Sequence, residues 1–159
     1  MTISIWRIGT DAPDYTADNL SGKGAELTGG RWNRKGTPML YCASNISLAC
    51  LETIVHLGAG ALPLNRYLVQ IIVPKTLYNS AIHLDKSTTP VGWDAEPAGK
   101  VSLDLGTQWC ANLTSALLCV PSTIVPEELN ILINPSHPDA GKISCQKLRK
   151  WSYDARIRP

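Results

Sequence analysis

Short apolar runs separated by turn-forming residues dominate the chain and predict a sheet with few helices. Ile3 and Ile5 alternate with polar neighbours, which indicates a first strand running toward Arg7. Four further apolar runs, each bounded by glycine, proline, serine or asparagine, predict strands at 39–43, 67–73, 116–120 and 130–133. The segments 11–30 and 84–97 are rich in turn-forming residues and are predicted to be loops.

Two segments have the pattern of helices. The first, 48–57, follows capping candidates at 44–47 and closes at Gly58. The second is expected at 99–112, although Gly106 interrupts its pattern. Because short strands outnumber helices and the order is not a regular βαβ alternation, the sequence predicts an α+β fold in one domain, residues 1–159.

Glu52 stands out within the first predicted helix. Leu48, Leu51 and Val55 are expected to form its buried stripe, and Glu52 falls on the edge of that stripe. A buried, unpaired carboxylate costs several kcal/mol or shifts its pKa. Glu52 is therefore interpreted either as a residue that reaches solvent or pairs with a structural arginine, or as a catalytic carboxylate facing a cleft. A metal site with His56 is not predicted, because no second ligand pair is visible.

Three other polar residues are candidates for ligand binding. Arg31 follows Gly29-Gly30, where the backbone can turn sharply, and its guanidinium suits a phosphate or carboxylate; the alternative is a pair with a surface acid. Tyr41 is either a core tyrosine with a satisfied hydroxyl or a ring that stacks on a planar ligand. Ser122 ends a strand, where it could bind ligand or cap a turn.

The composition and net charge are those of an ordinary globular protein. The chain has 159 residues, 44% hydrophobic residues and a net charge of +2, too small to indicate nucleic-acid binding by itself. Five scattered cysteines lack zinc spacing and indicate a reduced, cytoplasmic protein. No signal peptide or membrane span is predicted. A solvated face is expected from the basic residues near the end: Lys142, Lys147, Arg149, Lys150, Arg156 and Arg158.

The candidate residues occur in an order that resembles the RES domain, a family named for its Arg, Glu and Ser. These match Arg31, Glu52 and Ser122, and the likeness runs from about Trp6-Arg7 to Tyr153–Arg156. The segments that carry it are Gly29-Gly30-Arg31-Trp32-Asn33, Gly36-Thr37-Pro38, Tyr41, Leu51-Glu52 with Val55-His56, Val120-Pro121-Ser122 and the run NILINPSHP at 130–138.

The resemblance implies a fold like that of ADP-ribosyltransferases and a toxin of a bacterial toxin–antitoxin pair. Such a toxin would cleave the nicotinamide–ribose bond of NAD, which is then a substrate rather than a cofactor, and arrest growth. The implied partner is an Xre-type helix-turn-helix antitoxin that covers the active site and itself carries the DNA-binding function.

The resemblance also assigns roles to residues. Glu52 would stabilise the oxocarbenium-like ribosyl cation. Arg31 would hold a ribose or the pyrophosphate, and Tyr41 would stack on the cationic nicotinamide ring. The weaker substrate-binding assignments are Ser122 at the nicotinamide-ribose end, Arg7 at a phosphate and Asn134 as an orienting residue.

The acceptor stays open at this point. Water or phosphate would make the chain a glycohydrolase or a phosphorylase, whereas a protein acceptor would make it a protein ADP-ribosyltransferase. A third alternative is a non-catalytic module that acts only through its antitoxin.

Overall fold

The computed structural model describes residues 1–157, which form one seven-stranded sheet with helices on its faces. The elements in chain order are β1 (Thr2–Thr10), α1 (Lys23–Thr28), β2 (Leu40–Ala43), α2 (Ile46–Ile54), β3 (Arg66–Pro74), α3 (Lys75–Asn79), β4 (Ile82–His83), α4 (Lys100–Asn112), β5 (Leu117–Pro121), β6 (Leu129–Ile133) and β7 (Ser144–Lys150). The strand order is β4-β5-β6-β2-β1-β3-β7, antiparallel except for β4 with β5. The predicted α+β class is confirmed.

The apolar runs located the central strands well. The predicted strands 39–43, 67–73, 116–120 and 130–133 correspond to β2, β3, β5 and β6 within one residue at every end. β1 is longer than predicted and pairs with β3 along its whole length, from Thr2↔Pro74 to Thr10↔Arg66. These strands carry the buried side chains because both faces of the sheet's centre are covered.

The two ends of the sheet were not predicted. β4 has only two residues, and β7 carries polar or basic side chains at most positions. Charged side chains on an edge strand discourage pairing with another chain. Three of the basic residues near the end have acidic partners, since Lys142 pairs with Asp139, Lys147 with Asp11 and Arg156 with Asp154. Arg158 lies outside the described residues.

The first predicted helix is shifted toward the N-terminus. α2 begins at Ile46, because the Asn45 side chain caps it by accepting a hydrogen bond from the Leu48 N–H at 2.8 Å. It ends at Ile54, and the next residue, Val55, is 55% exposed. The expected stripe is therefore wrong at Val55, which lies past the last full turn; the residues of α2 that are buried are Leu48 and Ala49.

One predicted loop also differs, and one further helix was not predicted. The segment 11–30 contains the short helix α1, and α3 follows β3 directly; both helices have six residues or fewer and no strong apolar period. Gly106 does not interrupt the second predicted helix, since α4 runs through it from Lys100 to Asn112. Within residues 1–157, no helix combines the length and the apolar character that a bilayer span requires.

The sheet has two differently covered faces. On one face, every second residue of each central strand, including Ile5, Cys42 and Ile131, contributes to the largest apolar cluster. On the other face, which we call the helix face, α2 packs on Ile8 and Ala43, and α4 packs near Leu118 and Leu132. Alternation along each strand assigns every neighbouring pair of residues to opposite faces.

Candidate active site

The Glu52 carboxylate is held by two neutral donors from the sheet. Its Oε1 accepts hydrogen bonds from Ser122 Oγ at 2.6 Å and from Asn130 Nδ2 at 2.8 Å. Glu52 is half-buried near the end of α2, Ser122 follows β5, and Asn130 lies on β6. Among the ion pairs of residues 1–157 none includes Glu52, so the carboxylate is not neutralised by a structural arginine.

Ser122 both caps a turn and points its proton at Glu52. The residue is fully buried, and its Oγ accepts the backbone N–H groups of Ile124 at 3.0 Å and Val125 at 3.1 Å. A serine hydroxyl has one proton and two lone pairs. Because both lone pairs are occupied, the proton goes to the Glu52 carboxylate.

Asn130 was not predicted from the sequence. It stands in β6, where Leu129, Ile131 and Ile133 face the large apolar cluster while Asn130 and Leu132 face the helices. A polar residue on the helix face of an otherwise apolar strand was the available signal. The residue that gives Asn130 its partner, Glu52, comes from α2, 78 residues away along the chain.

Arg31 is tied to a neighbouring loop. Its Nη1 donates to the carbonyls of Trp93 at 3.2 Å and Ala95 at 2.7 Å, and its Nη2 lies 2.7 Å from Glu96 Oε2. The arginine side chain is 16% exposed, whereas that of Glu96 is 82% exposed. The pairing with a surface acid is therefore present, and it leaves the guanidinium close to the surface at the rim of the helix face.

Tyr41 anchors the loop that carries Arg31. Its hydroxyl accepts the Trp32 backbone N–H at 2.9 Å and donates to Asn33 Oδ1 at 2.7 Å. The approach is close enough that a Cβ on Gly30 would lie 2.7 Å from Tyr41 Oη. Burial raises the pKa of Tyr41 well above its usual range, against the smaller opposing effect of the Trp32 N–H, so the phenol is neutral.

Tyr41 and Glu52 belong to the same face of the sheet. Tyr41 pairs in register with Leu132, which is two residues from Asn130 on β6. Two residues along a strand correspond to about 7 Å. The Arg31 loop, the Tyr41 ring and the Glu52 carboxylate therefore border one region of the helix face.

The structure does not bring Arg7 or Asn134 to Glu52. Trp6 packs with the α2 cluster, so the next side chain, Arg7, points to the opposite face. Burial raises the pKa of Cys42 to about 12, against the smaller opposing effect of the Arg7 charge, which places Arg7 near this thiol. Asn134 is buried and links β6 to α4, since it donates to the Cys110 carbonyl at 3.0 Å and accepts from the Ser136 N–H.

The cysteines do not supply a competing nucleophile. All five are free, and Cys42, Cys110 and Cys119 are buried. Burial raises the pKa of Cys110 and of Cys119 to about 11, so these thiols stay protonated near neutral pH. These buried thiols therefore do not supply a thiolate at the region described above.

Comparison with known proteins identifies the class. Residues 4–156 match the RES domain, and the chain belongs to this ADP-ribosyltransferase-like family, which confirms the resemblance seen in the sequence. The chain is 59% identical over 157 residues to the Prs ADP-ribosylating toxin of a Sphingobium species, covering 99% of this chain and 98% of that protein.

Two more distant relatives are both named Toxin Res. The one from Yersinia enterocolitica is 41% identical over 145 residues, covering 91% of this chain and 93% of the relative. The one from Pseudomonas putida is 32% identical over 155 residues, covering 96% and 98% respectively.

Proposed function

We propose that the chain is the toxin of a toxin–antitoxin pair and that it consumes NAD by cleaving the nicotinamide–ribose bond. The observation that carries the proposal is the Glu52 carboxylate, which receives its described hydrogen bonds at Oε1 and so keeps Oε2 for a ligand. The toxin names of the relatives support the same function.

The chemistry requires one carboxylate. The bond between ribose C1′ and the nicotinamide nitrogen breaks, and the electron pair leaves on nicotinamide, which becomes neutral. No general acid is needed, because the leaving group is cationic before cleavage. Glu52 stabilises the positive charge that develops on the ribose. The acceptor oxygen then attacks C1′ and releases its proton to solvent water.

Arg31 and Tyr41 would bind the rest of NAD. The guanidinium suits the pyrophosphate, and the Tyr41 ring suits the nicotinamide. Ser122 acts through Glu52, because its only proton is donated to that carboxylate. Arg7 on the opposite face and Asn134 between β6 and α4 keep no direct substrate contact in this proposal.

The loop that holds Arg31 gives the first prediction. Glu96→Gln removes the acidic competitor for the Arg31 guanidinium, so the KM for NAD should fall about 1.5- to 5-fold, the range expected for one exposed ion pair. Steady-state NAD consumption measures it. Glu26→Gln, which removes the exposed pair with Lys23, is the matched control and should leave KM unchanged. An increased KM in Glu96→Gln would argue that Arg31 does not bind the pyrophosphate.

A protein acceptor is the second candidate. The relative with 59% identity is named an ADP-ribosylating toxin, which favours transfer of ADP-ribose to a protein. The same cleavage step serves both reactions, and they differ in the group that attacks C1′. A non-catalytic module is disfavoured, because such a module does not require a carboxylate held by hydrogen bonds from Ser122 and Asn130.

The proposed partner is an Xre-type helix-turn-helix antitoxin that covers the Glu52 region, and the proposed location is the cytoplasm. Pairing of Lys142, Lys147 and Arg156 with acids fits a chain that leaves DNA to this partner. NAD is the substrate in this proposal.

Product analysis tests the proposal. The purified chain is incubated with NAD alone, with NAD and phosphate, and with NAD and a cell extract. We expect stoichiometric nicotinamide in at least one arm. Free ADP-ribose, its phosphorylated form or a labelled protein distinguishes the three acceptors. Intact NAD in all arms would reject the proposed function.

A further inference from the structure

We propose that Asn130 is a positioning residue, which together with Ser122 holds Oε1 of Glu52 so that Oε2 is the oxygen presented to the ribose. This inference rests on the proposed function and deepens it. Asn130 touches no substrate in this proposal; it acts through the carboxylate.

The orientation of the Asn130 amide is determined by chemistry. An ionised carboxylate only accepts hydrogen bonds, so the amide nitrogen rather than its oxygen must face Glu52. The donor is also rigidly placed, because Asn130 pairs with Ala43 of β2 on one side and with Val120 of β5 on the other. A central position in the sheet leaves the amide little freedom to move away.

Two donors, one directly after β5 and one within β6, fix the orientation of the carboxylate. A glutamate on a helix has three rotatable side-chain bonds, and a single hydrogen bond would leave the group free to swing. Ser122 approaches from the end of β5 and Asn130 from β6, and both reach the same oxygen, at 2.6 Å and 2.8 Å. Loss of either donor therefore frees the rotation that places Oε2.

The test compares kcat and KM for NAD in Asn130→Ala and Asn130→Asp. We expect kcat to fall about 10- to 100-fold with KM within about twofold, since misplacement of a reacting group by about 1 Å has that cost. The isosteric aspartate should be the worse variant, because two carboxylates repel. It also replaces Asn130→Ala as the test if the alanine variant folds poorly.

Double variants distinguish a positioning role of Asn130 from a general loss of stability. In a Glu52→Gln background, Asn130→Ala should cause no further loss, and its effect should not multiply with that of Ser122→Ala. Thr53→Val is the matched control: it removes the bond between Thr53 and Tyr153 on the neighbouring residue of α2 without touching the carboxylate. It should keep the wild-type kcat.

The outcomes are distinguishable from failure of the proposed function. If the wild type consumes NAD and Asn130→Asp does so at the same kcat, the positioning role is wrong and the proposed function stands. If the wild type consumes no NAD, the proposed function fails, and the inference that Oε2 is presented to a ribose is overturned with it.

Discussion

Replacing Glu52 by glutamine is expected to lower the rate of NAD cleavage by about 1000-fold and to abolish growth arrest. The physical reason is the loss of the negative charge that would stabilise the ribosyl cation, an electrostatic contribution of this order in other enzymes. The amide keeps a carbonyl oxygen that can still accept from Ser122 and Asn130. The fold should therefore be kept, so the change in the rate of NAD cleavage reports mainly on the loss of the negative charge.

The measurement has two parts. Nicotinamide release is followed with purified wild type and Glu52→Gln, and thermal unfolding is recorded for both. We expect the two melting temperatures to agree within about 4 °C, the shift that about 1 kcal/mol causes in a chain of this size. Glu26→Gln, a surface change of the same kind, should retain full activity. Unchanged nicotinamide release by a folded Glu52→Gln protein would rule out the proposed role of Glu52 in the mechanism.

The sequence predicted Glu52 because its signal is local, in the spacing of apolar residues within one helix. Glu52 attracted attention because a carboxylate fell near an apolar stripe, although that stripe proved wrong at Val55. Glu52 lies one turn after Leu48, which is buried as the stripe predicted, and this part of the pattern is independent of where α2 begins. Its partners could not be predicted, since Ser122 and Asn130 are 70 and 78 residues away along the chain.

The elements that were missed have weak local signals for identifiable reasons. β7 is an edge strand, so neither of its faces needs a continuous apolar pattern. α1 and α3 have six and five residues, too few for a helical period. The segment 84–97 was correctly predicted to be turn-rich, but nothing in it indicated that the carbonyls of Trp93 and Ala95 would meet Arg31.

Gly106→Ala should be the most destabilising small change in α4, although alanine is normally the better helix former. An added Cβ would lie 1.8 Å from the carbonyl oxygen of Trp32 and 2.7 Å from its carbonyl carbon. These are backbone atoms of the loop that carries Arg31, so they cannot rotate away as a side chain would. The loop can therefore approach α4 this closely only because residue 106 has no side chain.

We expect the melting temperature of Gly106→Ala to fall by about 4–8 °C. Overpacking against backbone costs about 3 kcal/mol, and alanine gains roughly 1 kcal/mol over glycine in a helix, so the net loss is about 2 kcal/mol, at about 2–4 °C for each kcal/mol. Gly141→Ala is the control, because its Cβ would meet nothing within 4 Å, and it should melt like wild type. Because the clash displaces Trp32 beside Arg31, any folded Gly106→Ala protein should also show a raised KM for NAD. Equal melting temperatures for the two alanine variants would show that α4 and the Arg31 loop are not in contact as described.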